Sequence, residues 1–350
     1  MGPPLVIALT VRSRVPNIHE TNGNFTKTDQ ETASVLCDNF GNTFVREPQL
    51  NKTIAEDDEE NFHVQVAEAQ VLKALHRLKP DKSPGPDNLH PMLLRETAGC
   101  ITVLLTVITG SLWRKEQYLM VGKRPTLHQF SRKVVIKLNA ENYRPISLTS
   151  SAVCKVFESI IKQQMTAFLD QENIVTDRQH GFVRGRSCLT NLLEVFEEWT
   201  SSIDEGYGLD VIYLDYRKAF DTVPHERLIK KLKSIGFGGN LSNWIRAFLD
   251  GRVMRVGING SFSSWTAVLS GVPQGSVLGL LLFLLFINDL PEWIKTNIRM
   301  FADDTKIWTR MSHMNNSESL QQDLDSLSSW SDCWFAMLQS GQMQSYAHQT

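Results

Sequence analysis

A chain of 350 residues with 42% hydrophobic and 21% charged content is a folded protein, with room for two or three domains or one large lobed domain. Its formal net charge of −2 lacks the basic excess that most directly signals a nucleic-acid partner. The five cysteines (Cys37, Cys100, Cys154, Cys188, Cys333) are odd in number and scattered, which argues for reduced thiols in a reducing compartment and against a zinc site or disulfide framework.

The N-terminal run MGPPLVIALTVRSR is too short and too poorly flanked for a secretory signal. The apolar runs 101–112 and 277–287 fall short of the roughly 18 residues of a membrane span, so both read as core helices. Charge is unevenly placed: acids cluster at 56–60, bases at 114–137, 178–186 and 217–233.

Residues 1–65 are polar and weakly periodic, with a short helix over 31–44, and read as a linker or the remnant of something larger. Helical periodicity starts at Val66 and stops at the Pro- and Gly-rich loop 79–87, whose two lysines, Lys79 and Lys82, suit phosphate contact. Helices are predicted over 90–98 and 101–113; the basic stretch 117–139 shows no period, and 142–148 reads as extended. A helix over 152–170 precedes the glycine-punctuated loop 179–187, and another runs over 189–203. The segment 209–216, apolar on both faces, reads as a buried strand ending in Asp215. Asp221, past that strand end, is assigned a helix-capping role. Helices follow over 225–235 and 241–249, then strands 253–258 and 264–268 around the turn Asn259-Gly260. The loop 271–276 leads to an apolar helix over 277–287. A short strand, a tight turn carrying Asp303 and Asp304, and a return strand come next. An amphipathic helix carries Leu320, Leu324, Leu327 and Trp330, and the tail 339–350 is polar.

A carboxylate at the end of a buried strand is costly unless it is paired or binds a metal. Asp215, with Asp303 and Asp304 at a second strand end, is the donor set that a two-metal site requires, because hard Mg²⁺ takes a few carboxylates and completes its shell with water and phosphate oxygens. The loop Pro273-Gln274-Gly275 offers close backbone approach and one amide side chain.

These residues carry a family resemblance. YLDYRKAFDTVPHERL (213–228), SGVPQGSVLG (270–279) with LLFLLFINDLP (281–291), and FADDTKIW (301–308) resemble the A, B and C motifs of reverse transcriptases from non-LTR retrotransposons, the LINE or jockey-like elements. LKPDKSPGPDNLHP (78–91), NYRPISLTS (142–150) and QHGFVRGRSC (179–188) resemble the same family in the same order, so the likeness runs from about Val66 to Trp334.

The resemblance implies an α+β right-hand polymerase fold: helical fingers, then a palm with a small antiparallel sheet flanked by helices. It divides the chain into 1–65 (linker or N-terminal remnant), 66–204 (fingers and start of the palm), 205–338 (palm) and a divergent tail, 339–350. By the same likeness Asp215, Asp303 and Asp304 are catalytic and hold two Mg²⁺ ions, with Mn²⁺ as a substitute. Phe220 crowds a ribose 2′-hydroxyl, Gln274 touches the incoming nucleotide, Arg144 meets the triphosphate, and Lys82, Arg184 and Arg186 track template phosphates. The partners implied are an RNA template, a DNA primer and deoxynucleoside triphosphates, with no membrane, in the nucleus or a cytoplasmic ribonucleoprotein.

Four departures from the family pattern stand out. The strand with paired lysines that usually precedes NYRPISL is not legible in 117–139, and the proline after GSVLG is Leu280. No thumb is legible after Trp334, and no endonuclease before residue 1. A second reading is therefore a truncated element product that binds nucleic acid without processive synthesis. A third, a group II intron maturase or telomerase-like polymerase, shares the acids but not the wording of the motifs.

Overall fold

The computed structural model describes residues 17–19, 24–48, 62–82, 84, 89–115, 126–131, 139–148, 152–311 and 316–336. The acidic cluster 56–60, much of the loop 79–87, parts of 117–139 and the tail 339–350 lie outside the described residues.

A three-stranded antiparallel sheet organises the chain: β3 (Gly208–Leu214), β8 (Asp304–Met311) and β7 (Asn297–Phe301), in the order β3-β8-β7. The strand, turn and return strand expected around Asp303 are β7 and β8, and β8 is the central strand. Alternation explains the packing, since Ile298 and Met300 of β7 and Ile307 of β8 turn into one core.

Helices supply the rest of that core. α5 (Ala152–Gln171), α7 (His225–Ser234), α8 (Gly239–Leu249), α9 (Gly279–Ile287) and α10 (Asn316–Trp334) contribute Phe157, Leu228, Trp244, Phe283 and Trp330. α9 is apolar all round because it is buried all round, as eight of its residues are shielded from solvent. A separate cluster joins α2 (Glu68–His76), α3 (Pro91–Glu96) and α4 (Ala98–Arg114) to the first turns of α5 through Val71, Leu75, Leu94, Leu105 and Val156. α6 (Cys188–Asp204) lies on β3 and β8, where Val195 meets Val211 and Trp308.

A second, five-stranded sheet holds β1 (Thr126–Ser131), β2 (Tyr143–Leu148), β4 (Val253–Ile258), β5 (Ser261–Phe262) and β6 (Thr266–Ala267). β1 is a strand that the aperiodic stretch 117–139 did not announce. It pairs antiparallel with β2, Phe130 opposite Arg144, and parallel with β4. Its place is set by pairing with the next strand, β2, and with the distant β4 rather than by its own alternation. The strand expected at 264–268 is shortened to β6, which pairs with the far end of β4, and a separate β5 follows the Asn259-Gly260 turn at once. Ser263 causes the break, because its hydroxyl accepts from Val256 N at 2.9 Å and donates to Ser264 O at 2.9 Å in place of a regular ladder.

Residues 24–48 of the segment read as a linker or remnant are packed against this second sheet. Thr28 and Glu31 form a capping box at the start of α1 (Asp29–Gly41). Its stripe of Ala33, Leu36, Cys37 and Phe40 is buried against Met254, Val256 and Ile258 of β4. The chain then runs along the first core. Val45 N donates to Ser270 Oγ at 2.9 Å, and the Glu47 carboxylate accepts from Glu226 N and Arg227 N at 2.9 and 3.1 Å. A polar sequence hid this role, since one helix stripe and one acid do the anchoring.

Candidate active site

The register of the first sheet sets the acids. Leu214 of β3 faces Thr305 of β8, so Asp215, one residue past the strand, comes level with Asp304. Phe301 faces Asp304 across a two-residue turn made by Ala302 and Asp303. Asp215 and Asp303 are half-buried and Asp304 is exposed. Two strand ends therefore bring together three acids that lie nearly ninety positions apart in the chain.

The loop before α6 holds this turn. His180 N donates to Met300 O and Met300 N to Arg178 O, both at 2.9 Å, so residues 178–180 lie along the free edge of β7. Gly181 sits flush against the turn, where a Cβ would come within 2.2 Å of Ala302 N. Gln179 is buried, and its Oε1 accepts from Gly181 N at 2.7 Å and from Ala302 N at 2.8 Å. Arg186, expected to track template phosphates, spends its Nη1 on the carbonyls of Thr176, Asp177 and Gln179 at 3.1, 2.8 and 2.7 Å. It folds the loop. Arg184 is exposed on the same loop.

The Pro273-Gln274-Gly275 loop docks on the turn that follows Asp215. Val272 N donates to Phe220 O and Gly271 N to Val223 O, both at 2.8 Å. Gly271, at φ +89°, approaches so closely that a Cβ would lie 2.6 Å from Asp221 O. Gln274 Nε2 donates to Asp221 Oδ1 at 3.0 Å. The helix-capping role expected of Asp221 is thus overturned: α7 starts after Pro224 with no side-chain cap, Glu47 reaches its amides, and Asp221 aims Gln274. Behind the loop, the fully buried Glu158 of α5 accepts from Val277 N at 2.8 Å and Leu278 N at 3.4 Å. That carboxylate satisfies the amides of the two residues that lead into α9, away from water. Sequence reading missed Gln179, Glu158 and the Asp221 contact. An acid on the inward stripe of an amphipathic helix was the one signal available, at Glu158.

Phe220 is partly buried and stacks on Phe283 of α9, ring centroids 4.1 Å apart. Arg144 lies on β2, in the second sheet. Lys82 is exposed on its loop beside Asp81, at 3.9 Å.

Comparison with known proteins decides the family. The profile for "Reverse transcriptase (RNA-dependent DNA polymerase)" matches residues 132–345, more than half of the chain. The chain belongs to the reverse transcriptase family. It is of the non-LTR retrotransposon kind. It is 25% identical over 90% of its length to the probable RNA-directed DNA polymerase from transposon X-element of Drosophila melanogaster, covering 36% of that protein. It is 26% identical over 91% of its length to the RNA-directed DNA polymerase from mobile element jockey of the same species, covering 36% of it. It is 27% identical over 76% of its length to the transposon BS protein, covering 30% of it. This reverse transcriptase domain therefore spans about a third of the length of these relatives.

Reverse transcriptases as a family depend on a divalent metal, and the donor chemistry of this domain fits a hard cation, being carboxylate oxygen alone. Among the described residues no three His, Cys, Asp or Glu side chains close into a metal cage. Asp215 and Asp303 are half-buried at the two strand ends and Asp304 is exposed beside them.

Proposed function

We propose that this chain carries the fingers (66–204, with the start of the palm) and palm (205–338) of an RNA-directed DNA polymerase that extends a DNA primer on an RNA template. The observation that carries the reading is the sheet register that brings Asp215 level with Asp304 and the Asp303 turn. Asp215 and Asp303, assisted by Asp304, would hold two Mg²⁺ ions, with Mn²⁺ as a substitute. Such ions, when bound, activate the attacking primer hydroxyl and neutralise charge on the transferring phosphate.

The other side chains bind and select. Gln274, tethered by Asp221, faces the incoming deoxynucleoside triphosphate with its amide oriented before substrate arrives. Phe220, backed by Phe283, has little freedom to yield to a 2′-hydroxyl. Arg144 takes the triphosphate, and Lys82 and Arg184 the template backbone. Arg186 serves by keeping the loop that carries Arg184 in shape. The scattered cysteines support a reducing setting, the nucleus or a cytoplasmic ribonucleoprotein. Among the described residues no helix is long and apolar enough to cross a membrane.

Primer extension on an RNA template, with and without Mg²⁺, tests the reading. The parent chain extends the primer only with metal. Asp215→Ala and Asp303→Ala each abolish extension while the thermal unfolding midpoint stays near that of the parent. Undiminished extension by either variant overturns the site.

A further inference from the structure

We propose that Gln179 is a positioning residue that holds the Ala302-Asp303 turn in the conformation that presents Asp303 to the metal. The proposal rests on the polymerase reading of Asp303 given above.

The turn needs holding. Ala302 has φ +55°, in the left-handed region that a non-glycine residue adopts only at a cost. Nothing in the local sequence offsets that cost, since no glycine or asparagine stands there. One side-chain amide, only 2% exposed, captures both backbone polar groups of this residue. Gln179 Oε1 accepts from Ala302 N at 2.8 Å, and its Nε2 donates to Ala302 O at 3.3 Å. The same Oε1 accepts from Gly181 N at 2.7 Å, which ties the amide to its own loop. A planar group with an acceptor and a donor on adjacent atoms is what gripping one residue by both its N–H and C=O requires.

The clamp is itself anchored. Arg186 pins the carbonyls of residues 176, 177 and 179, and the His180–Met300 and Met300–Arg178 backbone bonds fix the loop in register with β7. Asn191 Nδ2 adds a bond to Met300 O at 3.2 Å. Rigid support therefore runs from α6 through the loop to the single residue before Asp303. Loss of the amide leaves the hairpin strands paired but frees their turn, so the effect falls on carboxylate placement more than on the fold.

The test uses the full chain with Gln179→Ala and Gln179→Glu. Glutamate keeps the size and both accepted bonds but has no donor for Ala302 O, so it covers the case in which alanine fails to fold. Hydrogen exchange of the Phe301–Asp304 peptide should quicken in both variants while exchange in α8 is unchanged. Mn²⁺ binding, read from the spin resonance of free Mn²⁺, should weaken on the order of 10-fold, as is usual when a group behind a ligand is lost. The Mg²⁺ needed for half-maximal extension should rise with no change in primer–template affinity. Leu232→Ala, on α7 rather than on the hairpin or the loop that holds it, is the control for lost stability alone, and should leave Mn²⁺ affinity unchanged. Unchanged exchange at the turn, or parental Mn²⁺ affinity in both variants, overturns the proposal. If instead Asp303→Ala binds Mn²⁺ like the parent, the polymerase reading of the acids fails, and turn exchange still decides whether Gln179 is the clamp.

Discussion

At the scale of single residues, Phe220 is the sharpest case of one side chain with two duties. Its ring stacks on Phe283 and is packed against the main core, yet part of it stays exposed on the turn after Asp215. Phe220→Ala should therefore cost stability, though less than the roughly 3–5 kcal/mol of a fully buried Phe→Ala. The same change should lower the preference for deoxy- over ribonucleotides, because the wall against a 2′-hydroxyl is removed. Parallel extensions with both nucleotide types, together with a denaturant titration, check this. A stability loss with an unchanged sugar ratio would make Phe220 a packing residue only.

At the scale of elements, two buried ion pairs tie distant segments together. Glu47 bridges to Arg227 at 2.8 Å while accepting from the first amides of α7, and the two side chains are 13% and 9% exposed. Removing one partner of a buried pair strands the other charge, so Glu47→Ala should destabilise by roughly 3–5 kcal/mol, read from its urea midpoint. Lys231 of α7 pairs with Asp289 and lies 4.0 Å from the Trp334 ring centroid and 4.8 Å from that of Trp330. Burial pushes its ammonium down to about 8 from the usual 10.5, against the opposing pull of Asp289. Below pH 8 the lysine is protonated in folded and unfolded chain alike, and the burial penalty is fully present. Between the two values the unfolded chain holds the extra proton, so this group makes stability rise with pH across that window. Thermal unfolding from pH 7 to 10 should show that rise in the parent relative to Lys231→Met. Parallel pH profiles for the two would contradict it.

At the scale of the whole molecule, the net charge is −2, so the proposed nucleic-acid binding has to rest on locally placed bases. Lys82 and Arg184 are exposed on separate loops, whereas Arg186 is committed to carbonyls of its own loop. Lys82→Ala and Arg184→Ala should each lower the slope of log affinity against log salt by about 1, uniformly across template sequences. Arg186→Ala should instead lower the unfolding midpoint, because three carbonyls lose their donor. Titrations of a fluorescent primer–template at several salt concentrations distinguish the two classes. An unchanged slope for Lys82→Ala or Arg184→Ala would remove that residue from the interface.

Local pattern alone determined the strands that carry Asp215, Asp303 and Asp304, and most of the helices around them. Their signals, an apolar β-rich run ended by an acid, a two-acid turn between apolar flanks and a helical apolar stripe, lie within a few neighbours of one another. The motif wording likewise announced the family before any contact was known. Tertiary structure alone decided what holds those acids in place. β1 exists because β2 and β4 offer it backbone partners, and α1 is part of the body because β4 covers its stripe. Asp221 aims Gln274 instead of capping a helix, and Gln179 grips Ala302 across 123 positions. Each depends on a hydrogen bond between segments remote in sequence, and a polar side chain carries no local mark of which distant backbone group will satisfy it.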